Sequence, residues 1–428
     1  MRKIVVLKPH EWLREGFLRQ SAATATSALR QFVPLSGVRF RAVAPPVPLA
    51  IGTARRDVRA LRDIQLSPRP TASHRYVTTV DVDDDQAAAA LVAEHPDIVE
   101  GVFEDPPIHA FPVQCPTAAI GAKADVIAAT NIASVHAGNN RGLGVCIIVV
   151  DSGVDGTLVN VTGGATLFPG VSPGSALPDH GTMVAMDALI TAPDAMIFDY
   201  PLLQSSGGAG VSFLSDAIRA FGAILATMLQ TPGRYVVNNS WGLYDRSQDA
   251  PAGNPQNYSR NPKHPFNLMV GTVVAAGADV LFAAGNCGQA CPDGKCGAGD
   301  VGPAQSIHGA NSHPDAISVA AITTAKDLLG YSSQGPGALA ADKPDIAAPS
   351  HFHHSGVYTA DSGTSAACPV LAGVVASLRS SAAGRTATQA RIKDVLRHTA
   401  DPMGRAPGWD RDSGWGAVDA SAALAALP

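Results

Sequence analysis

Residues 145–150, VCIIVV, constrain this 428-residue chain more than any other segment. They are continuously apolar and largely β-branched, so the run has no polar face to turn to water. A run this short and this apolar is read as a strand covered on both faces, the condition of a buried parallel sheet. Runs of the same texture recur at 235–238, 280–284 and 316–321, and helical patterns at 182–190, 213–229, 268–276 and 365–380 lie among them. Strand–helix alternation requires right-handed crossovers with helices on both faces of the sheet. Residues 116–428 are therefore expected to form a three-layer α/β domain with a mostly parallel sheet. Sites in such domains sit at the carboxyl ends of the strands.

Residues 1–115 have a different texture. A strand is expected at 2–7, and RYVTTVDV (75–82) alternates apolar and polar residues at period two. Asp83 to Asp85 cap an expected helix over 86–94, and a second strand follows at 98–103. The proline-rich stretch 33–70 shows no usable periodicity, and FPVQCP (111–116) reads as a linker. A small α+β domain is thus expected ahead of the larger one, and no internal repeat is present.

Composition narrows the partners. Charged residues are only 16% of the chain against 46% hydrophobic, which excludes global disorder. A net charge of −5 argues against nucleic acid and anionic membrane as partners. The apolar run at the start, Ile4 to Leu7, is too short for a secretory signal, and no eighteen-residue apolar window exists. The expectation is a cytoplasmic protein whose cysteines are reduced.

Four segments carry candidate chemistry. In VVDSGVD, Asp151 directly follows the most apolar strand, where a partly desolvated carboxylate can orient an imidazole. A structural or metal-ligand role fits this segment as well. In DHGTMVAMDAL, His180 stands at a helix entry and can serve as a general base, or simply as a capped surface residue. In DSGTSAACPVLAG, Ser365 stands at a helix start, where first-turn amides favour a developing oxyanion. An ordinary N-cap serine is the bland reading. In LFAAGN, Asn286 ends a buried strand as an oxyanion donor or as a turn residue.

Asp, His, Asn and Ser in this order, each in its own motif, resemble the subtilisin-like serine proteases, or subtilases. The resemblance extends to NNSWG (238–242), AAGN (283–286), GANSHPDAISVAAI (309–322), YSSQGPG (331–337), KPDIAAP (343–349) and GWGAVDASAAL (414–424). It implies a serine endopeptidase in which Asp151 orients His180, His180 deprotonates Ser365, and Asn286 with the Ser365 amide binds the oxyanion. It further implies that Ser240, Trp241 and Gly242 pair with the substrate backbone as an added strand. Ala283, Ala284 and Gly285 would wall the pocket for the side chain before the scissile bond. Activity would rise from acid toward neutral pH, because the base must be neutral. A non-catalytic peptide-binding module and a dedicated precursor-processing protease are the alternatives.

The sequence departs from the family in several places. Met183 stands where a second histidine is common, and the helix runs directly toward the next strand without the insertion that forms the family's strong calcium site. No metal or cofactor is therefore expected, with a weak calcium site left open. Cys368 reads as packing. Cys287, Cys291 and Cys296 follow Asn286 at a spacing unlike a zinc ribbon; reduced structural thiols are expected, with a disulfide or a metal site sharing His351, His353 and His354 as alternatives. Residues 75–111 also resemble the end of the family's inhibitory prosegment. The first 111 residues are expected to pack on the catalytic domain as an intramolecular inhibitor, with segment 108–118 in or beside the cleft and any cut within it restricted by Pro112 and Pro116.

Overall fold

A computed structural model describes residues 1–10, 37–40, 47–50, 74–110, 115, 118–204 and 211–427. Its first layer is an antiparallel sheet of β1 (Arg2–Leu7), β2 (Val38–Phe40), β3 (Val47–Ala50), β4 (His74–Val82) and, after α1 (Asp85–Glu94), β5 (Val99–Glu104). The expected strands and helix of this region are present, because each has its period or its cap; Asp84 accepts the Ala87 N–H at 2.8 Å to start α1. β2 and β3 lie in the stretch left unassigned from sequence, as strands that β4 templates by pairing. Most of the 111–116 linker lies outside the described residues.

The chain continues through β6 (Pro107–Ala110), the short helices α2 (Lys123–Ala129) and α3 (Ile132–Ala137), β7 (Val145–Asp151), β8 (Val161–Gly164), α4 (His180–Thr191) and β9 (Met196–Pro201). Next come β10 (Val211–Phe213), α5 (Leu214–Gln230), β11 (Arg234–Asn239), β12 (Trp241–Gly242), α6 (Pro265–Ala275), β13 (Ala278–Ala283), β14 (Ile317–Ile322) and β15 (Ile346–Pro349). α7 (Thr364–Ser380), α8 (Gln389–His398) and α9 (Ala420–Ala426) close it. Seven strands form one sheet in the order β15-β14-β13-β11-β7-β9-β8, every described pairing parallel.

All seven residues of β7 are buried, as its unbroken apolar run demands. Ile147 and Val149 pack with α4 and α7 on one face. Ile148 and Val150 pack with α5 and α6 on the other. The fold is thus three-layer α/β, with the small antiparallel sheet set against it. Ile4, Val6 and Val77 of that sheet join the α5–α6 core cluster. Polar contacts also cross the junction. Arg2 pairs with buried Asp105, which accepts the N–H (2.8 Å) and the hydroxyl (2.7 Å) of Ser215. His264 donates to the Glu104 carbonyl at 3.1 Å, and burial pushes its imidazole down to about 4, so it sits there neutral. No helix among the described residues is long and apolar enough to cross a membrane.

Candidate active site

β7 delivers Asp151 to the carboxyl edge of the sheet, where its side chain is fully buried. Asp151 Oδ1 accepts the Ser152 N–H at 2.7 Å and His180 Nδ1 at 2.8 Å. Gly153 turns the chain with φ +102°, a backbone that other residues rarely adopt. The helix entry then presses on that turn: a Cβ on Gly181 would stand 2.4 Å from the Gly153 carbonyl oxygen. The Gly181 N–H also donates to Ser152 Oγ at 3.0 Å. These contacts explain why the two motifs need their glycines. They fix His180, the first residue of α4 and only 3% exposed, against Asp151. Its Nε2 makes no hydrogen bond among the described residues.

Ser365 lies in the first turn of α7, beside α4 in the same layer. Its hydroxyl donates to the Ser240 carbonyl at 3.2 Å, and Ser240 Oγ returns a bond to the Ser365 carbonyl at 3.1 Å. Asn286 faces the same turn. Its Oδ1 accepts the N–H (2.9 Å) and hydroxyl (3.0 Å) of Thr364. Because a backbone N–H demands an acceptor there, the amide orientation is fixed and its NH₂ is turned away from Thr364. Asp151, His180, Ser365 and Asn286 thus all sit at the carboxyl ends of β7 and β13 and the first turns of α4 and α7.

The segments expected to form the substrate-pairing edge and the pocket wall lie beside this site. Trp241 is fully buried and donates from Nε1 to the Val150 carbonyl at 2.8 Å. Ala283 and Ala284 are buried, and Gly285 (φ +110°) donates to Thr364 Oγ1 at 3.1 Å. Asn311, singled out by no sequence argument beyond its motif, bonds the carbonyls of both Trp241 (2.9 Å) and Ala283 (2.8 Å). It ties these two segments together. β6 lies between β10 and β12 as the middle strand of a small antiparallel sheet, pairing Ala110 with Trp241 and His109 with Gly242 and Val211. Ile108 of this strand is fully buried and Ala110 is 6% exposed.

The reduced-thiol expectation is corrected for four cysteines. Cys115 is bonded to Cys291 and Cys287 to Cys296. Local spacing misled because one partner, Cys115, lies 176 residues away in the linker. With these sulfurs paired, Cys287, Cys291 and Cys296 carry no free thiol for the alternative of a site shared with His351, His353 and His354. No metal-binding cluster occurs among the described residues. Cys368 is buried in the α4–α7 core, where burial pushes its thiol up and keeps it neutral.

Asp187, two turns after His180 on α4, is fully buried, and neither carboxylate oxygen has a well-formed hydrogen bond among the described residues. Burial first, then the nearby Asp361 carboxylate, raises its pKa well above the ordinary value. A raised carboxyl favours folding only while the unfolded chain is also protonated, so its contribution is lost as pH climbs from the unfolded value toward the folded one. Asp187→Asn should therefore stabilise the protein near pH 8 by on the order of 1 kcal/mol, about 2–4 °C in Tm. The gain should shrink toward pH 4. Melting curves at both pH values check this, and an equal or lower Tm at pH 8 would contradict it.

Residues 142–416 match the model of the Subtilase family. The chain is similar to Subtilisin of Bacillus pumilus, 26% identical over 287 residues that cover 63% of this chain and 89% of that protein. Subtilisin E of Bacillus subtilis (strain 168) is also 26% identical, the match covering 63% of this chain and 64% of that protein. Fervidolysin of Fervidobacterium pennivorans is 27% identical over 323 residues, 66% of this chain and 41% of that protein.

Proposed function

The chain belongs to the subtilase family and is a serine endopeptidase, and from that premise we propose that Asp151, His180 and Ser365 are its catalytic triad, with Asn286 in the oxyanion hole. The observation that carries the assignment is the buried 2.8 Å bond from His180 Nδ1 to Asp151. It puts the proton on Nδ1 and leaves Nε2 as the base. Ser365 Oγ turns from the Ser240 carbonyl, gives its proton to Nε2 and attacks the scissile carbonyl. The Asn286 NH₂ and the Ser365 N–H, at the positive end of α7, receive the charge that develops on oxygen. The imidazolium then protonates the leaving amine, and water repeats the sequence to release the acyl group. No step requires calcium from the family's strong site; α4 ends at Thr191 and β9 begins at Met196.

Asn286→Leu tests the oxyanion role. It should lower kcat about a hundred- to a thousandfold with KM little changed, the range for one such donor. A kcat within fivefold of wild type, in a variant that melts normally, would remove Asn286 from the mechanism.

Peptide and protein chains are the substrates, and β6 marks how they would bind. It adds to Trp241 and Gly242 in the manner the family uses for substrate. On this reading residues 107–110 hold the substrate's place and the N-terminal layer is an intramolecular inhibitor. The cleft would favour an apolar branched side chain where Ile108 is buried and a small one at Ala110. Ile108→Asp puts a charge into that apolar site and should expel the strand, because a buried unpaired carboxylate is strongly unfavourable. Peptidase activity of the full chain should rise at least about tenfold. Unchanged activity would count against inhibition.

A further inference from the structure

We propose that the Cys115–Cys291 disulfide is a reducible latch that keeps the 107–110 strand in the cleft, so that a dithiol reductant raises peptidase activity. The proposal rests on the reading that this strand occupies the substrate's place. Its geometry is independent of that reading. Ala110 is fixed to Trp241 by strand pairing, and Cys115, five residues on, is fixed to Cys291. Cys291 belongs to the loop that begins directly after Asn286. That loop is itself held to the site: the Asp293 N–H donates to the Asn286 carbonyl at 2.9 Å and the Cys291 N–H to the Gly330 carbonyl at 3.1 Å. The Tyr244 hydroxyl sits between loop and strand, 3.4 Å from Asp293 Oδ2 and 3.5 Å from the Ala110 carbonyl. The strand is thus tied down on one side by the N-terminal layer and on the other by a covalent bond to the wall of the cleft.

The two disulfides are not equally open to attack. Cys115 is exposed, whereas in the neighbouring bridge Cys287 is 3% exposed and Cys296 only partly exposed. A dithiol reductant supplies the two electrons and two protons required. One of its thiolates attacks a sulfur of the bridge; the S–S bond breaks, and the displaced cysteine leaves as a thiolate that takes a proton. The second reductant thiol resolves the mixed disulfide, freeing the other cysteine as a thiol and leaving a cyclic disulfide. Among the described residues, the next anchor beyond the strand after reduction is Ile120, whose N–H donates to the His351 carbonyl. The tether from Ala110 then lengthens from five residues to ten. Doubling this tether lowers the effective concentration of the held strand by at most about threefold, because the link from β5 on its other side is unchanged.

The test uses the full chain isolated without reductant, assayed on a chromogenic tetrapeptide anilide before and after dithiothreitol. Wild type should gain up to about threefold on reduction. Cys115→Ser/Cys291→Ser, which retains the Cys287–Cys296 bridge, should start at the raised level and gain nothing further from reductant. Ile108→Asp separates the two ideas. If it is activated while neither reductant nor the double serine variant raises activity, the latch is wrong and the inhibitory strand stands. If none of the three raises activity, the inhibitory reading fails and the latch falls with it.

Discussion

Replacing Ser365 by alanine should lower kcat/KM by on the order of a million-fold, because triad members act as a unit and the loss of the nucleophile silences the others. The fold should tolerate the change. Ser365 Oγ donates to the Ser240 carbonyl, while the return bond from Ser240 Oγ goes to the Ser365 backbone and survives in alanine. A buried serine-to-alanine change at a helix start removes one hydroxyl and creates no cavity of consequence, so Tm should move by only a few degrees. The decisive measurement is covalent. A fluorophosphonate probe should label Ile108→Asp, in which the cleft is vacated, and should not label Ile108→Asp/Ser365→Ala. Equal labelling of the two would assign the nucleophile elsewhere, whatever the peptidase assay reads.

The sequence made the centre of the sheet readable and left its edges obscure, for a physical reason. β7, β11, β13 and β14 are buried, and burial writes itself as mainly apolar runs, broken by partnered polar residues such as Asn239, bonded to the Leu281 carbonyl, and Asp279, paired with Arg379. The edge strands β8 (VTGG) and β15 (IAAP) carry glycine or proline and owe their conformation to a neighbour. β6 (PIHA) is a strand because β10 and β12 flank it, which no local pattern states. The site divides in the same way. Asp151, His180, Asn286 and Ser365 stand where the chain turns out of a strand or into a helix, and glycines mark those turns. What the sequence withheld are properties of tertiary distance: Cys115 finding Cys291, Asn311 joining two segments, and the Asp187 carboxyl buried near Asp361. The resemblance to a family carried the roles; the geometry explains why each role needs its residue.

Asp151→Asn should lower kcat about a thousandfold, and the reason is specific to this site. Where an asparagine can swing its NH₂ toward the imidazole, the wrong tautomer is selected and the loss is nearer ten-thousandfold. Here Oδ1 accepts both the Ser152 N–H at 2.7 Å and His180 Nδ1 at 2.8 Å. The backbone donor requires an oxygen at that position, so the asparagine amide should keep its oxygen there and place NH₂ where Oδ2 stands. Oδ2 makes no hydrogen bond among the described residues, so no partner resists the exchange. The tautomer is retained, and what disappears is the negative charge facing the imidazolium. A unit charge about 4 Å away at an effective dielectric near 20 is worth about 4 kcal/mol, close to three decades in rate. A tautomer reversal would instead deepen the loss by about another factor of ten. The depth of the loss in kcat, read beside an unchanged melting curve, therefore decides between charge and tautomer as the contribution of Asp151.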